Sequence, residues 1–263
     1  MAFGEIALNA GRMILTTRHA SMPVSCKADG SPVTQADVAA DCLIRSQLPD
    51  ILPGVPIVSE ECVAHDDRTR NLDRFILVDP LDGTREFAAG RNEYTVNIAL
   101  VENGVPVAGA IYAPALGRLY VAGDQAFSAE VTAADRLPKR SAMQLLKARK
   151  ASQDGLRATV SRSHLDPSTK EWLERRAINR THAAGSSLKF CAIAEGQADV
   201  YPRLGTTMEW DTAAGQAILT AAGGCVVQLD GTPLRYGKHD AGLRNPSFVA
   251  WGEVQHHMES LVT

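Results

Sequence analysis

Phe75-Ile76-Leu77-Val78 is an unbroken apolar run that gives way at once to Asp79-Pro80-Leu81-Asp82-Gly83-Thr84. This junction constrains the fold more than any other stretch. Consecutive apolar residues with no polar alternation fit a strand buried on both faces. Pro80 has no N–H to give to a sheet ladder, so the strand is expected to stop at Asp79-Pro80. The carboxylates of Asp79 and Asp82 then stand at the strand's exit. Gly83 and Thr84 follow where a helix can begin, with backbone N–H groups able to point at an anion. Acids beside such N–H groups make little sense as packing. They do make sense if a hard cation sits among the acids and a phosphate bridges cation and amides.

Other acids sit at comparable places. Val55 to Val58 reads as a short strand closed by Ser59-Glu60-Glu61. Glutamates after a strand are usually just solvated, but if this strand neighbours the first, Glu60 and Asp79 share a sheet edge that can collect a cation. Thr34 is a good N-cap for a helix continuing to about Gln47, with Asp37 in its first turn. Complementing the helix dipole would also account for Asp37. Asp211 lies at or near the N-cap of a small-residue helix that runs through Ala213-Ala214-Gly215 and ends at Gly223-Gly224. Capping would likewise account for Asp211, while the small residues let this helix approach its neighbours closely.

The rest of the chain supplies layers. Ala2 to Arg18 has the apolar spacing of an amphipathic helix. Tyr94 to Val101 and Val105 to Tyr112 flank Asn103-Gly104, a hairpin signal, and Arg118 to Ala122 extends the meander. Residues 128 to 155 are polar and weakly periodic. They suggest a boundary between an N-terminal α+β subdomain (1–125) carrying most of the acids and a C-terminal α/β subdomain (126–263) carrying Asp211. A strand at Arg157 to Ser161, a helix at Thr169 to Ala177, a helix capped by Gly185-Ser186-Ser187, and strands at Ala198 to Tyr201 and Gly224 to Leu229 follow. This irregular alternation indicates mixed α/β layers. At 263 residues the chain can bury a sizeable core. A net charge of −3 with signs interspersed gives no reason to expect a nucleic-acid polymer as partner. Five cysteines with no C-x-x-C pair speak against disulfides and a zinc ribbon and for a reduced cytoplasm. No run approaches the ~20 apolar residues of a membrane span.

Glu60, the segment Asp79 to Thr84, and Trp210-Asp211-Thr212-Ala213-Ala214-Gly215, in that order, resemble the signature segments of the inositol monophosphatase-like, lithium-sensitive phosphatase superfamily. Within it, Lys27 to Thr34, Asp79 to Phe87, Tyr94 to Leu100, Gly185 to Phe190 and Tyr201-Pro202-Arg203 resemble bacterial 3'(2'),5'-bisphosphate nucleotidases. The resemblance implies a layered αβαβα sandwich and a site holding about two to three Mg²⁺ ions. By position it implies Glu60, Asp79, the Leu81 carbonyl, Asp82 and Asp211 as metal ligands that also present the ions to substrate. Asp37 and Thr84 would orient and deprotonate the attacking water, and the Gly83 and Thr84 N–H groups would hold the scissile phosphate.

His164, Ser186, Lys189 and Arg203 match positions that contact the 5'-phosphate and nucleoside. For Lys189 and Arg203 the plainer account is surface charge, and for His164 a satisfied loop histidine. The implied reaction is Mg²⁺-dependent hydrolysis of adenosine 3',5'-bisphosphate to AMP and phosphate, which clears a by-product of sulfate activation. The 3'-phospho-5'-phosphosulfate nucleotide is a second substrate, and lithium an expected inhibitor. An inositol monophosphatase, a fructose-1,6-bisphosphatase-like phosphatase and a catalytically dead metal- or phosphate-binding protein stay as alternatives. The expected partner is the small nucleotide substrate, to a monomer or homodimer in the cytoplasm, with association at the inner membrane face left open.

Overall fold

The computed structural model describes residues 1–18, 25–26, 32–62, 72–150, 155–162 and 165–253. Helices α1 (Ala2–Arg18) and α2 (Gln35–Ile51) pack on one another and on a seven-stranded sheet. Its strands are β1 (Ile57–Ser59), β2 (Arg74–Asp82), β3 (Thr95–Glu102), β4 (Val105–Ala113), β5 (Arg118–Ala122), β6 (Ala126–Glu130) and β7 (Gln144–Leu145), hydrogen-bonded in that order. β1 runs parallel to β2, and every later neighbour is antiparallel. The single-turn helix α3 (Thr84–Ala88) follows β2 directly.

A second, five-stranded sheet comprises β8 (Arg157–Ser161), β9 (Arg180–Ala184), β10 (Val200–Arg203), β11 (Cys225–Gln228) and β12 (Phe248–Trp251), in the order β9-β8-β10-β12-β11. Helices α4 (Pro167–Arg175), α5 (Leu188–Ala194) and α6 (Glu209–Ala221) complete the fold. Short two-residue pairings join Ser25–Cys26 to Pro32–Val33 and Thr207–Met208 to Arg244–Asn245.

Alternation along the strands sorts these elements into layers. Ile76, Val78, Ile98 and Leu100 pack with Ile6, Ile14, Ile44 and Leu48 of α1 and α2. Their sequence neighbours Phe75, Leu77, Ala99 and Val101 face the opposite way, against Phe190 and Ile193 of α5, Trp210 and Ile218 of α6, and Tyr201 and Phe248 of the second sheet. The outer face of that sheet buries Val160, Val200 and Trp251 under Trp172 and Leu173 of α4. The result is the expected αβαβα sandwich. Among the described residues no helix is long and apolar enough to cross a membrane.

Four expectations change. β2 does not stop at Pro80: Asp79 pairs with Asn97 and Asp82 with Thr95, so Pro80 and Leu81 oppose Val96 alone in a bulge. The extra residue of a bulge is left out of the ladder, so a proline is tolerated there. α2 continues through Pro49 to Ile51, with the Leu52 N–H still donating to the Leu48 carbonyl at 2.9 Å. β6 and β7 extend the first sheet into the polar stretch after residue 125. β9 and β12, not foreseen as strands, complete the second sheet. The segment 27–31, which carries part of the sequence resemblance, lies outside the described residues.

Gly215 lets α6 lie directly on α5: a Cβ built there would come within 2.4 Å of the Phe190 ring. Phe190 is itself fully buried and stacked on Phe248 at 5.9 Å. Gly215→Ala should therefore destabilise the protein by about 1–2 kcal/mol, overpacking outweighing the ~1 kcal/mol gain in helix propensity. Urea unfolding checks this, and an unchanged or higher midpoint would contradict the packing described.

Candidate active site

β1 and β2 lie side by side in parallel register, Ser59 opposite Val78, and the Glu60 N–H carries the pairing one residue further by donating to the Val78 carbonyl at 3.1 Å. Glu60 and Asp79 thus leave the same sheet edge. The bulge then turns the chain, and Asp79 Oδ1 accepts the Leu81 N–H at 3.0 Å. Gly83, at φ +94°, takes the left-handed turn into α3, a conformation natural to glycine. A Cβ there would press against the Glu93 carbonyl and Tyr94 at 3.2–3.3 Å.

Thr34 is the N-cap of α2, as its sequence suggests, and its N–H and hydroxyl both donate to Asp37 Oδ2, at 2.8 and 2.6 Å. The Thr84 hydroxyl reaches Asp37 Oδ1 and the Leu81 carbonyl, each at 3.1 Å. It has one proton for two acceptors, so whichever it serves, an oxygen lone pair of Thr84 remains for a third group.

Asp211 arrives from the other side, on α6. As its sequence suggests, it lies near the N-cap: Met208 holds that position, and Asp211, in the first turn, accepts the Met208 N–H at 2.8 Å. The helix start is fixed by fully buried Glu209, which accepts the Gly237 and Lys238 N–H groups at 2.7 and 2.9 Å and pairs with Lys238 Nζ at 2.7 Å.

From the loop before α5, the Ser186 hydroxyl and the Ser187 N–H donate to Asp82 Oδ2. Ser186, expected at the nucleoside, thus turns its hydroxyl to an acid. Lys189, 6% exposed, donates to the Ser186 carbonyl at 2.5 Å and lies 5.4 Å from the Tyr201 ring centroid. Arg203 donates to the Thr206 carbonyl at 2.9 Å, and its buried Nε has no hydrogen-bond partner among the described residues. His164 lies outside the described residues. The sequence reading missed Thr95, Asn97 and Ser187, all buried. The signal was present: Thr95 and Asn97 put two polar side chains on one face of an otherwise apolar strand.

Electrostatics tie the acids into one neighbourhood. Burial pushes the Asp79 carboxyl well above the usual range, and the charges of Glu60, Asp82, Asp211 and Asp37 push it further. Burial raises Asp82 too, against the pull of Ser186, Lys189, Asn97 and the Ser187 amide. Asp211 is pushed up to about 8, by burial first and then by Asp82 and Glu60. Lys189 is lowered to about 8 by burial and by Arg203, with Asp82 opposing.

The acids are gathered but not closed into a cage: among the described residues no three His, Cys, Asp or Glu side chains stand so that they could share a metal ion. Asp79, Asp82 and Asp211 have each turned one oxygen to protein donors instead. The donor set still fits a hard divalent cation, being all oxygen, with no thiolate or imidazole and an excess of negative charge over Lys189 and Arg203.

The sequence pattern of the inositol monophosphatase family matches residues 2–260. The chain is 41% identical over 247 residues to the 3'(2'),5'-bisphosphate nucleotidase CysQ of Escherichia coli K12, covering 93% of this chain and 96% of that one. It is 41% identical over 235 residues to the protein of the same name in Buchnera aphidicola, covering 88% and 85%. The crystal structure of CysQ from Bacteroides thetaiotaomicron superposes with a TM-score of 0.82 at 38% identity over 97% of both chains. An inositol monophosphatase from Thermotoga maritima shares the fold, with a TM-score of 0.75 at 23% identity over 98% and 93%.

The raised acids set a pH dependence. A carboxyl at about 8 when folded and 3.8 when unfolded retains a proton in the folded chain that the unfolded chain releases. Its contribution to stability is complete below the unfolded value and is lost as pH rises through about 8. Metal-free protein should therefore melt at lower temperature at pH 8 than at pH 5.5, and added Mg²⁺ should raise the melting temperature more at pH 8. Differential scanning calorimetry at both pH values checks this; a Mg²⁺ effect equal at both, or none, would contradict it.

Proposed function

The chain belongs to the inositol monophosphatase family, and we propose that within it the chain is a Mg²⁺-dependent 3'(2'),5'-bisphosphate nucleotidase, a phosphoric monoester hydrolase. Its substrate would be adenosine 3',5'-bisphosphate, with the corresponding phosphosulfate nucleotide as a second one. The observation that carries this reading is that buried Lys189 donates to the Ser186 carbonyl while the Ser186 hydroxyl donates to Asp82, which sets this cation beside the acids, with Arg203 near enough for its charge to act on Lys189. A substrate with one phosphate needs only ions held by acids. A second phosphate needs cations of its own, and the guanidinium fork suits it. The identity to nucleotidases along nearly the whole chain supports the same reading.

Family proteins are metal-dependent phosphatases. Here Glu60, Asp79, the Leu81 carbonyl, Asp82 and Asp211 would hold about two to three Mg²⁺ ions. Such ions offset phosphate charge and raise the acidity of water. The chain's own part is positioning. Thr84 gives its proton to Asp37 Oδ1, leaving its oxygen to accept from the attacking water. Thr34 fixes Asp37, so the water's proton leaves toward a pair already held in place. The Gly83 and Thr84 amides face the phosphate across a single helical turn, so individual N–H groups rather than a helix dipole do the binding. Lys189, Arg203 and His164 hold the far phosphate and nucleoside.

A phosphate-release panel with purified protein and Mg²⁺ tests this. Adenosine 3',5'-bisphosphate should be hydrolysed faster than inositol 1-phosphate, and chelation should abolish both activities. Lys189→Met and Arg203→Ala should each lower kcat/KM for the bisphosphate by about 10- to 100-fold, as expected on losing a charged hydrogen bond. Faster hydrolysis of inositol 1-phosphate, or unchanged variants, would overturn the nucleotidase reading.

A further inference from the structure

Between the two sheets a closed polar network leads to one oxygen of Asp82. Thr95 and Asn97 project from β3, and Ser186 and Ser187 from the loop before α5. The Thr95 hydroxyl lies 2.7 Å from Ser186 Oγ and 2.8 Å from Ser187 Oγ. Ser187 Oγ donates to Asn97 Oδ1 at 2.7 Å, and Asn97 Nδ2 reaches Asp82 Oδ2 at 3.4 Å. The Ser187 N–H donates to the same Asp82 oxygen at 2.9 Å, as does the Ser186 hydroxyl, which also lies 3.1 Å from the Asp82 carbonyl. Thr95, Asn97 and Ser187 are at most 2% exposed.

Counting protons orients the bonds that reach Asp82. An ionised carboxylate only accepts, so Ser186 must donate to Asp82 and Asn97 must present its NH₂ to it. That leaves the Asn97 carbonyl to take the Ser187 proton. The Thr95 hydroxyl has one proton for two serine oxygens and donates to one of them. The two branches, one through Ser186 and one through Ser187 and Asn97, both end on Asp82 Oδ2, and Thr95 supports them from behind. Asp82 Oδ1 has no hydrogen bond among the described residues.

The loop is bent to this purpose. Ser186 sits at φ +53°, a left-handed conformation that is uncommon for a non-glycine residue and concentrates at functional sites. Gly185 before it lies so close to Glu93 that a Cβ would come within 2.7 Å. A buried, satisfied network of this density rigidifies whatever it ends on, and this one ends on a carboxylate of the site.

We infer that Thr95, Asn97 and Ser187 are positioning residues: with Ser186 they lock one Asp82 oxygen into the protein and leave the other as the oxygen offered to a cation. Because the network spans β3 and the α5 loop, it also sets that oxygen by the docking of the second sheet on the first. This rests on the reading of Asp82 as a metal ligand, but on no particular substrate.

Calorimetric titration of metal-free protein with Mg²⁺, without nucleotide, tests it. Thr95→Val and Ser187→Ala should weaken Mg²⁺ binding by about 10- to 100-fold, the usual effect of removing a group that orients a ligand. Thr95→Ser, which keeps the hydroxyl, should stay within about threefold of the parent. If Thr95→Val does not fold, Ser187→Ala carries the test alone. Variants that bind Mg²⁺ like the parent would overturn the positioning role and leave the nucleotidase reading intact. A parent that binds no Mg²⁺ would overturn the ligand assignment and the inference with it. A parent that binds Mg²⁺ through this network yet fails on bisphosphates would support the inference and remove only the substrate.

Discussion

Asp79 is 1% exposed and feels the charges of Glu60, Asp82, Asp211 and Asp37. Taking even one carboxylate out of water costs several kcal/mol unless a partner compensates, and gathering several multiplies the penalty. The local donors offset only part: the Leu81 N–H for Asp79, the Met208 N–H for Asp211, and the serine pair and Lys189 for Asp82. The rest of the penalty shows as carboxyls that hold their protons more tightly than usual, Asp79 and Asp211 above all. A fold keeps such a cluster when something of opposite charge occupies it in use, and an all-oxygen donor set selects a hard divalent ion.

The acids meet because the layers bring distant segments to one edge of the first sheet. Parallel pairing of β1 and β2 aligns the exits of Glu60 and Asp79, and the bulge at Pro80-Leu81 swings Asp82 and Thr84 round. α2 delivers Asp37 from the outer helical layer, and α6 delivers Asp211 from the layer between the sheets. Glu209, buried against the Gly237 and Lys238 amides, pins the start of α6. Close approach at Gly215 then sets how deeply that helix sits against α5. Stability and function share residues here, so errors in packing would be felt at the site.

Much of this was legible in the chain. The apolar run before Asp79, the Thr34 cap, the Asn103-Gly104 hairpin and the small-residue helix after Trp210 each carry a local physical signal that the fold retains. What was not legible depended on tertiary context. Pro80 argued for a strand end because its missing N–H is a liability in a ladder, and only pairing with β3 reveals a bulge that makes the loss harmless. β7 is a two-residue strand with both residues exposed, too short and polar for periodicity to register. Ser186 in a left-handed conformation leaves no trace in a sequence that offers glycine next to it.

The account stands on acids from three stretches of chain sharing divalent ions. Crystals grown with Mn²⁺ and measured at the manganese absorption edge test it most directly. The account predicts anomalous peaks bounded by Glu60, Asp79, the Leu81 carbonyl, Asp82 and Asp211, with Asp82 approaching through Oδ1. Peaks only elsewhere on the molecule, or a cluster that stays unbridged at saturating Mn²⁺, would contradict it.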